Sequence, residues 1–164
     1  MLKTFYIAST ILLFCNLSLY AQAKQAVAPD CSMFAIEGIG SHDFELPLVV
    51  PNSSIKISRD KGQTTDQKTI IFKSVTPSCS QLTGLTITLG NNEILSYPNL
   101  VLQCSENTLG NHQISGSLKL SEELYLKIYK FDVTEFKLGY IQVPVVYQTP
   151  ESLPFTVHCI FTAK

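Results

Sequence analysis

Residues 84–92, Gly-Leu-Thr-Ile-Thr-Leu-Gly-Asn-Asn, decide the fold class. Leu85, Ile87 and Leu89 alternate without a break with Thr86 and Thr88, and Gly90-Asn91-Asn92 follows as a turn signal. Successive side chains of a pleated chain leave on opposite faces, so this period of two reads as a half-buried strand.

Working outward, the same period recurs. Upstream, Phe34 and Ile36 alternate, then Phe44, Leu46, Leu48 and Val50, and Ile55 and Ile57 follow a Pro51-Asn52-Ser53 turn. Residues 59–68, RDKGQTTDQK, are the most polar stretch and read as an exposed hairpin loop around Gly62. Ile70-Ile71-Phe72 begins another strand that ends by Pro77. Downstream, Leu100, Leu102 and Cys104 share a parity that points Cys104 inward, and Ile114–Leu120 is a further strand. Val133–Leu138, Gly139–Tyr147 and Phe155–Phe161 complete the series. Pro144 lacks the amide a ladder needs, which puts its strand at an edge or a bulge. In the last run Phe155, Val157, Cys159 and Phe161 face one way, and Thr156, His158 and Ile160 the other.

Leu118–Phe131 admits two readings. Leu120, Leu124 and Ile128 lie at helical i, i+4 spacing, and Ser121 is a suitable cap. Even parity of Leu118, Leu120, Leu124, Leu126 and Ile128, with Tyr125, Tyr129 and Phe131 as good strand formers, favours strands across a turn at Ser121-Glu122-Glu123. On that reading Tyr125, Lys127, Tyr129 and Phe131 form an outward strip, a candidate contact surface because aromatics are enriched at interfaces. About nine to eleven short strands with hardly any helix predict an all-β chain, an antiparallel β-sandwich first and a closed β-barrel second.

The N-terminal stretch reads as a secretory signal. Lys3 is its positive region, Ile7–Leu19 its apolar run, and Ala21-Gln22-Ala23 a small-x-small cleavage site. The run is short of the ~20 apolar residues of a spanning helix. Phe14 before Cys15 does not fit a lipid-attachment site. The predicted organisation is a cleaved signal at 1–23, a loosely ordered leader at 24–30, and one domain over 31–164 in the periplasm or extracellular space. The mean hydropathy of +0.18 owes part of its value to the signal.

Export places the remaining cysteines, Cys31, Cys79, Cys104 and Cys159, in an oxidising compartment. Four cysteines allow three pairings. Cys79–Cys104 as a staple of neighbouring strands, with Cys31–Cys159 tying the two ends, is the preferred set. A zinc site is disfavoured, because the cysteines are scattered and no CxxC or HxxxH spacing occurs. No cofactor is expected.

Charge and motifs exclude more than they include. Without Lys3, eleven Lys and Arg face thirteen Asp and Glu, a net charge of −2 that gives no electrostatic reason to bind nucleic acid. The absence of Trp weakens a sugar-binding reading. There is no G-x-S-x-G elbow. Ser41-His42-Asp43 would alternate faces on a strand and so cannot form a relay. Gly38-Ile39-Gly40-Ser41 precedes a strand pattern, which offers no helix N-terminus for phosphate. His42 beside Asp43 and Glu45, and His112 after Gly110-Asn111, read as turn residues, and His158 as an outward strand residue. Asn52-Ser53-Ser54 is a glycosylation sequon, of consequence only in a eukaryote.

The sequence is therefore expected to encode an exported, non-enzymatic binding module whose partner is another protein or a surface component. A carrier with an apolar ligand between the sheets is one alternative. A fibre subunit, assembled through the leader or the C-terminal strand, is another.

Overall fold

A computed structural model of the chain describes residues 30–34, 38–80, 82–106 and 111–162. The expected signal, the leader up to residue 29, Ile36 and Gly110 lie outside them. The architecture is two antiparallel sheets packed in a sandwich-like arrangement, not a closed barrel. One sheet contains β1 (Gly40–Pro47), β2 (Ser54–Lys61), β3 (Asp66–Thr76), β6 (Gln103–Glu106) and β7 (His112–Lys119), in the order β1-β2-β3-β7-β6. The other contains β4 (Thr83–Leu89), β5 (Ile94–Val101), β8 (Val133–Leu138) and β9 (Ile141–Pro144), in the order β5-β4-β8-β9.

The alternation read from the sequence is realised as buried inner faces. Across the first sheet Leu46 opposes Ile55, which opposes Phe72, which opposes Gly116. Across the second, Ile87 opposes Phe136, which opposes Val143. Phe72 and Phe136, both fully buried, meet with ring centroids 5.1 Å apart and join the two sheets. Gly116 makes room beside them, since a Cβ there would come within 3.0 Å of a methyl of Leu102 and of Leu138.

The turns obey local chemistry. At Gly90-Asn91-Asn92 the Asn92 amide donates to the Leu89 carbonyl at 2.9 Å, and Asn92 takes φ 65°, a left-handed conformation asparagine tolerates. Residues 62–65 close the β2–β3 hairpin, where the Gly62 amide donates to the Thr65 carbonyl at 2.8 Å. Pro144 ends the edge strand β9, as its missing amide requires. Beyond it the chain crosses to the other sheet, with Tyr147 bridging Leu48 and the Val49 amide donating to the Val146 carbonyl at 2.8 Å.

Two segments expected as strands are helices. Residues Glu122–Phe131 form α1 and Leu153–Thr162 form α2, with a 3₁₀ turn at Ser32–Phe34 near the start of the described chain. In α1 the helical spacing prevails over parity: Leu124 and Ile128 are buried while Leu126 is 52 % exposed, the reverse of a strand pattern for Leu126. The Leu124 amide donates to the Ser121 hydroxyl at 3.2 Å, and Glu122 and Glu123 occupy the first turn, where the helix dipole favours carboxylates. In α2 Thr156, Val157, Cys159 and Ile160 are all buried, a set that no strand parity contains. Phe34 holds α2 to β1 through Phe155 and Phe44, at 5.8 and 4.8 Å between ring centroids. The proposed C-terminal donor strand is thus a helix.

Both expected disulfides are present. Cys31 pairs with Cys159 and joins the 3₁₀ turn to α2, and Cys79 pairs with Cys104 and joins the bend after β3 to β6. Paired cysteines belong to an oxidising compartment. Among the described residues no helix is long and apolar enough to cross a membrane.

Candidate functional site

Two regions gather chemistry that strand geometry alone would have dispersed. The first is the outer side of the helix pair. Tyr125 and Tyr129 lie four residues apart on α1 and therefore on one face. Their rings stack with centroids 5.9 Å apart. Phe161 of α2 lies over Tyr125 at 4.3 Å, nearly parallel, and His158 of α2 stacks on Tyr129 at 4.7 Å. The Tyr125 hydroxyl and His158 Nδ1 are hydrogen-bonded at 3.2 Å. Lys68 on β3 places its ammonium 5.2 Å from the centre of the Phe161 ring, within cation–π range. Burial holds the Tyr125 phenol above its ordinary pKa.

This arrangement revises the expected strip. Tyr125 and Tyr129 remain together, because i, i+4 on a helix keeps what i, i+4 on a strand also keeps. Lys127 turns away to the β4–β5 hairpin, where it pairs with Glu93 at 2.9 Å and with Glu123 at 3.3 Å. Those partners raise its pKa, Glu93 foremost. Phe131 closes the helix, and its carbonyl accepts from the Gly90 amide at 3.0 Å. Four residues in one row become two in a stack and two at its margins. Sequence reasoning missed Leu126, 52 % exposed one turn before the 46 % exposed Tyr129, and it missed His158 and Phe161 as partners of the tyrosines. The signal was present in the spacing of Leu120, Leu124 and Ile128.

A cleft of about 330 Å³ adjoins the stack, lined by Phe161, Lys68, Lys119, Asp66, Ser121 and Glu122. Its floor is electrostatically fixed. Arg59, only 4 % exposed, donates to both carboxylate oxygens of Asp66 at 2.9 Å, and Lys68 reaches Asp66 at 2.6 Å. The Arg59 hydrogen bond, with help from Lys68, lowers the Asp66 pKa to about 2.

The second region lies where β3, β6 and β7 end. Cys79, Cys104 and His112 present two sulfurs and a ring nitrogen within 4.8 Å of one another. The Thr76 and Tyr140 hydroxyls share a hydrogen bond of 2.8 Å at this end, and Thr76 stands directly opposite His112 in the ladder. His112 is thus the first residue of β7, not a turn residue.

The Ser41-His42-Asp43 run lies on β1, and its aspartate is held across the ladder by Lys56 at 2.8 Å and Ser58 at 2.6 Å. These bonds, that of Lys56 first, lower the Asp43 pKa. Glu45 is bound by Ser54 at 2.6 Å and Lys73 at 3.2 Å. These carboxylates serve the outer face of the sheet. Asn52 of the sequon occupies an exposed turn at φ 57°. Comparison of the chain with protein-family models, with curated proteins and with solved structures finds no match.

Proposed function

We propose that this chain is an exported binding module without chemistry of its own, and that it meets another protein through the outer face of α1. The observation that carries the reading is the pairing of Leu126 with Tyr129. Both are about half exposed, and they lie three residues apart on one helix face. Scattered single apolar residues on a surface need no explanation. Here two adjoin on one helix face, and Tyr129 is itself stacked on Tyr125 and His158. A rigid aromatic base gives contact area at little entropic cost, as interface anchors require. The neighbouring cleft, with Lys68, Lys119 and Glu122 at its rim, offers charged contacts at the margin of the patch. Export is supported by the signal pattern of residues 1–23 and by the paired cysteines. The buried ring contact of Phe72 with Phe136 counts against an apolar ligand held between the sheets.

The test uses protein purified gently from the exported fraction of its own host and examined by native mass spectrometry. A second chain is expected to travel with it. Leu126→Ser with Tyr129→Ser is expected to lose that chain while the melting temperature falls by no more than a few degrees. Tyr125 is left intact, because it is wedged between Phe161 and Tyr129. A bare monomer, or a partner retained by the double variant, overturns the reading.

A further inference from the structure

The end of the first sheet holds an unsatisfied group. His112 Nδ1 is buried and has no hydrogen-bond partner among the described residues. A buried polar atom left unpaired costs about 1–3 kcal/mol, so such a group asks for an explanation. Beside His112 lie the two sulfurs of Cys79 and Cys104, each from a different segment of chain. We propose that, when Cys79 and Cys104 are reduced, these three residues form a binding site for one thiophilic metal ion, with zinc(II) as the type case.

The donor set suits that ion. Two thiolates and an imidazole are the ligands that borderline-soft metals select over hard ones. At Zn–S distances of about 2.3 Å and tetrahedral angles, two sulfurs on one ion stand about 3.8 Å apart. The Cα atoms of Cys79 and Cys104 are 5.9 Å apart, which allows both side chains to reach a common ion. Cys79, Cys104 and His112 are all half-buried, so water is limited at the site without being excluded. Three protein ligands leave a fourth position open. Thr76 stands directly opposite His112, and its hydroxyl shares a hydrogen bond of 2.8 Å with that of Tyr140, which is itself exposed.

Metal and disulfide exclude one another at this place. A trialkylphosphine converts the disulfide and one water to two thiols and the phosphine oxide. Zinc(II) then displaces one proton from each thiol, forming two S–Zn bonds, while His112 donates a neutral ring nitrogen. No electron passes to or from the metal. A chain newly delivered to an oxidising compartment, with its thiols still reduced, has both outcomes open to it.

The experiment treats the full mature chain with a trialkylphosphine, removes oxygen, and titrates zinc(II), and in parallel cobalt(II), whose charge-transfer absorption reports thiolate ligation. One equivalent is expected to bind at this site in the reduced chain and none in the oxidised chain. His112→Ala is expected to weaken binding more than tenfold. Cys79→Ser with Cys104→Ser is expected to abolish that equivalent and so separates this site from the other two thiols. Circular dichroism follows the same samples. If the reduced chain loses structure, zinc is expected to restore it in the parent and not in the His112 variant. The proposal is overturned by absence of binding, by binding unchanged in His112→Ala, or by binding that survives in the double serine variant.

Discussion

Arg59 stands on the buried parity of β2, two residues beyond Ile57 and four beyond Ile55, inside a stretch so polar that its composition reads as solvated loop. Composition was a correct guide to the hairpin and a poor guide to this residue. The parity of the preceding isoleucines was the better signal, and the cost of burying a guanidinium is met by the bidentate carboxylate of Asp66. Because Asp66 ionises near 2 in the folded chain against 3.8 in its ordinary state, its contribution to stability is complete above the ordinary carboxylate range. That contribution is lost as the pH falls from about 4 toward 2. Asp66→Asn is therefore expected to cost about 1–2 kcal/mol at pH 7, allowing for the solvent around a carboxylate that is about one-third exposed. It should also flatten this part of the acid limb. Urea denaturation of both proteins at pH 7 and at pH 2.5 checks this: the difference between them should shrink at the lower pH. A difference that is constant with pH would mean that Arg59 and Asp66 contribute by packing alone.

At the scale of elements, strands were legible and helices were not, and the reason is physical. A strand states its period within three to five residues, as Ile55–Ile57 and Leu85–Leu89 do. A ten-residue helix spans under three turns, and its i, i+4 positions share parity with a strand's i, i+2, i+4. Leu120, Leu124 and Ile128 satisfied both periods. The intrinsic preference of Tyr and Phe for strands then tilted the reading the wrong way, which is the weakness of propensity where packing decides. In α2 the alternation of Phe155, Val157 and Cys159 with Thr156 and His158 imitates a strand, and only the burial of Thr156 with Cys159 and Ile160 reveals the helix. The candidate contact face inherited this difficulty: Tyr125 and Tyr129 could be read from sequence, whereas Leu126, His158 and Phe161 required the helices. Ser121 fits either a turn or a helix cap, and in the structure its hydroxyl caps α1. Ser121→Ala removes the acceptor of the Leu124 amide and is expected to cost about 1 kcal/mol, with Ser121→Asp restoring most of it. Thermal melts of the three proteins check the order. Equal stability in all three would show that the first turn of α1 is held from elsewhere.

For the molecule as a whole, the two disulfides act on very different lengths of chain. Cys31–Cys159 spans a sequence separation of 128 and ties the start of the described chain to α2, whereas Cys79–Cys104 spans 25 within one half of the fold. If the principal effect of a cross-link is to restrict the unfolded chain, the longer loop stabilises by about 5 kcal/mol and the shorter by about 3.5 kcal/mol. Native-state consequences act in the same direction. Cys159 is fully buried against the core, so replacing it opens space there, whereas Cys79 and Cys104 are half-buried and their loss is partly relieved by water. Alanine is the suitable substitute at Cys159, because a serine hydroxyl there would be buried. Cys31→Ala with Cys159→Ala is therefore expected to cost at least about 1.5 kcal/mol more than Cys79→Ala with Cys104→Ala. Each pair should also steepen the urea dependence, since an uncrosslinked chain exposes more surface on unfolding. Denaturation curves of the two double variants at one pH and salt concentration decide the matter. An equal or larger loss from the short loop would mean that the Cys79–Cys104 staple holds native structure at the end of the first sheet, where His112 sits, and does not act chiefly through the unfolded chain.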